Sequence, residues 1–95
     1  MISEVRTIPK FSSGQILITA AAHEQLNASD VQAALRRHLA GDWGDCKQED
    51  ASANEDSLLH GDRLLSVYQT ANGTKFWIIT EADRSATTVL LPDNY

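Results

Sequence analysis

The sequence predicts an α+β domain in which two to three helices pack on a three- to four-stranded antiparallel sheet. Three observations carry that reading. Apolar residues recur with the helical period between Val31 and Leu39. From Arg63 onward the chain is rich in β-branched and aromatic residues, punctuated by turn signals. Its 95 residues, 42% hydrophobic and 22% charged, suit one core and are too few for two.

Residues 1–13 hold Pro9, Ser12 and Ser13 with no clear period, and are expected to form a mobile arm ahead of a single domain over 14–95. Gly14 to Ile18 reads as a short strand. Thr19 then offers its hydroxyl as N-cap to a short helix over Ala20 to Leu26, favoured by three alanines. Asn27-Ala28-Ser29-Asp30 breaks that helix and supplies new caps, with Ser29 expected to serve. Val31, Ala34, Leu35, His38 and Leu39 follow at i, i+3, i+4, i+7 and i+8, one apolar face of an amphipathic helix. Gly41 suits the left-handed position after it. A further helix is expected from about Lys47 to His60, opened by acids that suit a positive helix N-terminus and closed by Gly61.

Arg63 to Thr70, Thr74 to Glu81 and Thr87 to Leu91 read as three strands of a meander, with the N-terminal strand at an edge. Asn72-Gly73 is the turn signal between the first two, because both residues tolerate positive φ. Ala82 to Ser85 makes the second turn. Phe76 and Ile78 share one face of the middle strand, Trp77 and Ile79 the other. That strand is therefore expected at the sheet centre, with its second face covered by helices, the N-terminal arm or a second subunit, so a homodimer is anticipated.

Composition excludes several functions. Cys46 is the sole cysteine, so no internal disulfide and no multi-thiolate metal site can form, as in a reducing compartment. No apolar run approaches a bilayer span, and the N-terminus lacks the basic flank and apolar stretch of a secretory signal. A cytoplasmic location without membrane association is expected. Net charge is −5, and seven acids against the one base Lys47 lie between Asp42 and Asp62. Nucleic acid is disfavoured as a partner, since phosphate affinity rests on Lys and Arg. The acidic stretch reads as a solvated helix face or a surface for a basic protein. No cofactor or metal motif is present: there is no phosphate-cradling Gly-rich loop, nucleophile elbow, His-Glu-x-x-His or calcium loop.

Two stretches stand out. In Gly41-Asp42-Trp43-Gly44-Asp45 a tryptophan sits in a turn between glycines. Trp43 either seals the end of the preceding helix or serves as an aromatic anchor for a partner, with Asp42 and Asp45 as polar contacts. In Thr80 to Thr88 an acid, an arginine and hydroxyls gather between apolar strands. Glu81 as base and Arg84 as charge clamp would hold a phosphate or acyl oxyanion, with Thr87 among the contacts; the same residues can instead neutralise one another. His38 lies on the apolar helix face one turn before Trp43, either as a hydrogen-bonded core residue or as a base converging on Glu81 and Arg84. Cys46, beside acids, is expected to have a raised pKa and little reactivity.

The segments Gly41 to Asp45, Arg63-Leu64-Leu65-Ser66-Val67-Tyr68 and Trp77 to Pro92 resemble a family of small bacterial proteins from plasmids, integrative elements and similar mobile DNA. The resemblance covers roughly residues 14–95 and implies a genomic setting rather than a mechanism. Helices followed by an antiparallel sheet also resemble, in layout alone, the small ribonuclease toxins of the barnase and colicin type. That likeness implies His38 or Glu81 as base, Arg84 as phosphate clamp, and Thr87 or Thr88 positioning the backbone; the acidic composition departs from it. The sequence thus favours an accessory or interaction module, binding a protein partner or itself through the acidic helix and Trp43. A phosphodiester-cleaving enzyme using His38, Glu81 and Arg84 is the rival.

Overall fold

The computed structural model describes residues 9–95. Strand β1 (Gln15–Ile18) leads into helices α1 (Ala20–Gln25), α2 (Ala28–Leu39) and α3 (Gln48–His60). Strands β2 (Leu64–Gln69), β3 (Lys75–Thr80) and β4 (Ala86–Leu90) follow, and a 3-10 turn over Pro92–Asn94 ends the chain. The sheet order is β1-β4-β3-β2. The three C-terminal strands form the expected antiparallel meander. β1 joins its edge, but parallel to β4, so the sheet is not purely antiparallel.

The helix signals were read correctly in kind and shifted at one cap. Thr19 Oγ1 accepts from the Ala22 amide at 3.2 Å, as expected. Asn27, not Ser29, caps α2: its Oδ1 accepts from the Asp30 amide at 2.8 Å, while its amide donates to the Asp30 carboxylate at 2.9 Å. An asparagine there satisfies a backbone donor and a side chain together. At the far end the Gly41 amide bonds the His38 carbonyl and the Asp42 amide bonds the Arg37 carbonyl, a Schellman closure with Gly41 at φ +83°.

The β2–β3 connection differs from the two-residue Asn-Gly hairpin. The Thr70 amide bonds the Thr74 carbonyl at 2.9 Å and the Gly73 amide bonds the Thr70 carbonyl at 3.0 Å. Gly73 alone of the pair has positive φ. This is a three-residue loop, where only the closing residue is left-handed.

Helices α1 and α2 cover one face of the sheet. Ala22, Leu26 and Ala34, flanked by Val31 and Leu35, pack there on Tyr68, Phe76, Ile78 and Val89. Helix α3 lies along the outer edge of β2, where the Asn54 side chain accepts from the Leu65 amide at 3.0 Å and donates to the Leu65 carbonyl at 2.6 Å. A side-chain amide thus stands in for a strand rung. The Trp43 carbonyl and Asp45 amide close the neighbouring rung on Val67, at 3.1 and 2.7 Å.

Residues of the second face, among them Leu65, Val67, Trp77, Ile79 and Leu90, stand apart from the helix-side core. The C-terminal turn supplies part of the expected cover: Tyr95 meets Trp77 edge-on, 5.6 Å between ring centroids. A cleft of about 240 Å³ remains between Arg63, Leu65, Trp77, Ile79 and Tyr95.

Candidate functional site

The polar residues of interest fall at one end of the sheet, and most of them are spent on one another. His38 comes from the inward face of α2 and is fully buried. Its Nδ1 lies 2.5 Å from Ser66 Oγ and its Nε2 2.9 Å from Thr80 Oγ1. Thr80 Oγ1 is in turn 2.8 Å from Thr87 Oγ1, whose hydroxyl donates to the Ser13 carbonyl at 2.7 Å. Burial, and secondarily the Arg84 charge, push the His38 pKa down to about 4. With both nitrogens engaged and no solvent access, the imidazole presents no free nitrogen at the surface.

Alternation marks Ser66, Thr80 and Thr87 as inward strand positions, whereas the sequence reading set Thr80 and Thr87 in the polar stretch before β4 and gave Thr87 as a binding contact. Ser66 lies between Leu64 and Tyr68, Thr80 follows Ile78, and Thr87 precedes Val89, each at the two-residue spacing of an inward strand face. Hydroxyls at inward positions facing a histidine on an apolar helix face are the signature of a buried polar network. Thr87, 0% exposed, is a member of it and not a surface contact.

Trp43 is 6% exposed, so it seals the core and offers no exposed anchor. Its indole donates to Glu55 Oε2 of α3 at 2.8 Å, and its ring stacks at 6.4 Å on Phe11 and meets His38 edge-on at 5.8 Å. The glycines on either side explain how a turn delivers a large ring inward. At Gly44, φ +72°, an added Cβ would stand 2.0 Å from the Val67 carbonyl oxygen. Phe11 belongs to the segment expected to be a mobile arm. Residues 10–13 are instead tied down, with the Lys10 amide on the Leu39 carbonyl at 2.8 Å and Ser13 on Thr87. The rest of that arm, residues 1–8, lies outside the described residues.

Asp42 braces the same turn. It accepts from Arg37 Nε at 2.7 Å and Nη2 at 3.2 Å, and from the Gly44 amide at 3.1 Å. The Arg37 guanidinium holds its carboxyl below the usual carboxylate range. Its carbonyl receives the Tyr68 hydroxyl at 2.5 Å. Asp45 contributes its backbone to β2, with its side chain in solvent. Cys46 donates its thiol to the Leu65 carbonyl at 3.2 Å, and its pKa is raised in the expected direction, by burial first and by Asp50 and Asp45 only secondarily.

Arg84 is held at φ +61° in the β3–β4 turn, and its guanidinium donates to main-chain carbonyls: Asp62 at 2.7 Å, Ser57 at 3.0 Å, Glu81 at 3.1 Å and Ala82 at 3.3 Å. It therefore ties the turn to the C-terminal end of α3, where a cation also meets the negative helix terminus. The alternative in which the Glu81 carboxylate neutralises it is not what holds it. Glu81 is exposed, with its carboxylate 3.9 Å from Arg63. Among the described residues, His38, Glu81 and Arg84 thus occupy one end of the sheet, and none of the clefts described there is lined by them together.

Among the described residues no group of three or more His, Cys, Asp or Glu side chains is placed to hold a metal ion, and no helix is long and apolar enough to cross a membrane. Comparison with protein-family models, curated proteins and solved structures returns no match.

Among the described residues, β1 forms an apolar edge of the sheet. At β1 the side chains of Ile16, Leu17 and Ile18 are 52, 41 and 39% exposed, three consecutive aliphatics on an open sheet edge. Beside them a groove of about 310 Å³ runs between Ile18, His23, Leu26, Ala28 and Val31.

Proposed function

We propose that this chain is a small protein-interaction module, an accessory of a bacterial mobile genetic element, that works by adding a strand of another polypeptide to its sheet at β1. The observation that carries the reading is the contrast between the two sheet edges. β2 is closed by Asn54, Trp43 and Asp45, whereas β1 presents exposed Ile16, Leu17 and Ile18 and, among the described residues, an open backbone edge. Proteins guard exposed edges with charge, proline or cover, and an unguarded apolar edge is a docking element. The resemblance of Gly41 to Asp45 and Trp77 to Pro92 to mobile-element proteins supplies the setting, and the lone Cys46 fits a reducing cytoplasm.

The ribonuclease reading is supported less well. It needs a solvated base and a free cation, but His38 is fully buried and Arg84 is engaged by carbonyls. Two experiments decide between them. A photo-crosslinking residue placed at Leu17 in expressing bacteria is expected to trap a protein adduct of defined mass, while one at Ser52 on the outer side of α3 traps none. Induced expression is expected to leave growth and total RNA intact. Absence of any adduct at position 17, or RNA decay abolished by Glu81→Ala, overturns the proposal.

A further inference from the structure

Resting on β1 as the docking element, we infer that its occupant is a second copy of this chain, paired antiparallel through β1 about a two-fold axis at Leu17 to give one continuous eight-stranded sheet. The backbone sets the register. The Gln15 amide bonds the Ser85 carbonyl and the Thr19 amide bonds the Val89 carbonyl, each at 3.0 Å. Odd-numbered residues therefore point their main-chain groups at β4, and by strand alternation those of Ile16 and Ile18 point outward. Two such edges laid antiparallel with Leu17 opposite Leu17 set Ile16 of each copy against Ile18 of the other. Both are then hydrogen-bonded pairs, so all four outward groups of each edge find partners. The register is its own mirror under the two-fold, as an isologous interface requires.

Side chains agree with that register. Ile16 and Ile18 lie beside Thr87 and Val89 on the helix-covered face. The second copy's Ile16 would therefore sit next to Ile18, over the groove between Leu26, Ala28 and Val31. β-Branched pairs across strands are favourable neighbours.

Charge favours β1 over the other surfaces as the place where two copies of this chain meet. From Phe11 to Ala22 the sequence carries no charged residue, so the strand itself brings no like charges against its twin. The acids between Asp42 and Asp62 sit on and around α3, against β2, at the opposite end of the order β1-β4-β3-β2. Pairing through β1 keeps the two acidic surfaces at the outer ends of the double sheet, where a chain of net charge −5 pays least in repulsion. Pairing through α3 or β2 would press them together.

Sedimentation of the full chain is expected to give twice the chain mass in the micromolar range. Leu17→Lys places two ammonium groups face to face on the axis and should weaken the dimer about tenfold or more, as should Leu17→Glu. Mixing the two variants should restore a dimer, because only a pair that meets at residue 17 becomes complementary. In a Cys46→Ser background, Leu17→Cys should form an intermolecular disulfide on mild oxidation, since directly opposed non-hydrogen-bonded positions bring Cβ atoms within about 5 Å, near bridging distance. A Ser52→Cys variant should not. A monomer at all these concentrations, a dimer indifferent to Leu17→Lys, or failure of the mixed variants to pair overturns self-pairing. The proposal of an edge-docking module then survives if position 17 still crosslinks a different protein, and falls with it if position 17 crosslinks nothing.

Discussion

His38 Nε2 stands 2.9 Å from Thr80 Oγ1, and the direction of that hydrogen bond is fixed by what lies beyond it. The Ser13 carbonyl only accepts, so the Thr87 hydroxyl donates to it. Thr87 Oγ1 must then accept from Thr80, and Thr80, its proton used, must accept from His38. The imidazole carries its proton on Nε2, and Nδ1 accepts from Ser66. One polar chain thus runs from β2 through α2, β3 and β4 to the segment before β1, every step satisfied.

That chain makes stability depend on pH. With a folded pKa near 4 against about 6.5 unfolded, His38 takes up its proton more readily in the unfolded chain. Its contribution is complete above the unfolded value and is lost as pH falls from about 6.5 towards 4, amounting to about 3 kcal/mol. In urea melts from about pH 6.5 down to about 4, wild type should lose stability more steeply than His38→Gln, so that the gap between the two changes over that window. Parallel curves would show that His38 does not titrate as buried.

Gly44→Ala should cost on the order of 2–4 kcal/mol, since it sets an alanine at φ +72° with its Cβ against the Val67 carbonyl. Because that loop carries Trp43, the emission spectrum should shift red as the indole is exposed. Gly73→Ala also strains a left-handed residue, but nothing lies within 4 Å of its Cβ, so its cost should be nearer 1 kcal/mol. Chemical denaturation of the two variants side by side checks the order.

Most of the fold was legible because it rests on periodicity. The face Val31, Ala34, Leu35, His38 of α2 turns to the sheet, with Ala34 and His38 buried and Val31 and Leu35 half-buried, and Phe76 and Ile78 of β3 are buried against it. The site was harder. His38 was recognised as a core candidate, but its partners depend on which strand positions meet α2, and register between elements far apart in sequence leaves no local mark. Arg84 shows the same limit. A carboxylate three residues away suggested an ion pair, whereas the carbonyls it bonds at Ser57 and Asp62 come into reach only once α3 docks. Trp43 between two glycines signalled an unusual turn without saying which way the ring points.

Asn54 tests how the β2 edge is closed. Asn54→Leu keeps the branched shape but leaves the Leu65 amide without its partner, and should cost about 2 kcal/mol. Amide hydrogen exchange at Leu65 should quicken far more than at Ile78 in β3. Equal protection at Leu65 in both proteins would mean that α3 closes the edge without its amide.

Arg84 separates a structural arginine from a catalytic one. Arg84→Ala removes donors from the Ser57 and Asp62 carbonyls and keeps a Cβ at positive φ, so about 1–2 kcal/mol should be lost. Arg84→Gly loses the same bonds but relieves the left-handed strain, and should be the more stable of the two by up to about 1 kcal/mol. Glu81→Ala removes only an exposed carboxylate at 3.9 Å from Arg63 and should change stability by less than about 0.5 kcal/mol. A phosphate clamp predicts another pattern: Ala and Gly variants equally inactive on RNA and neither much destabilised. Thermal melts of the three variants, with RNA incubated alongside, distinguish the two roles directly.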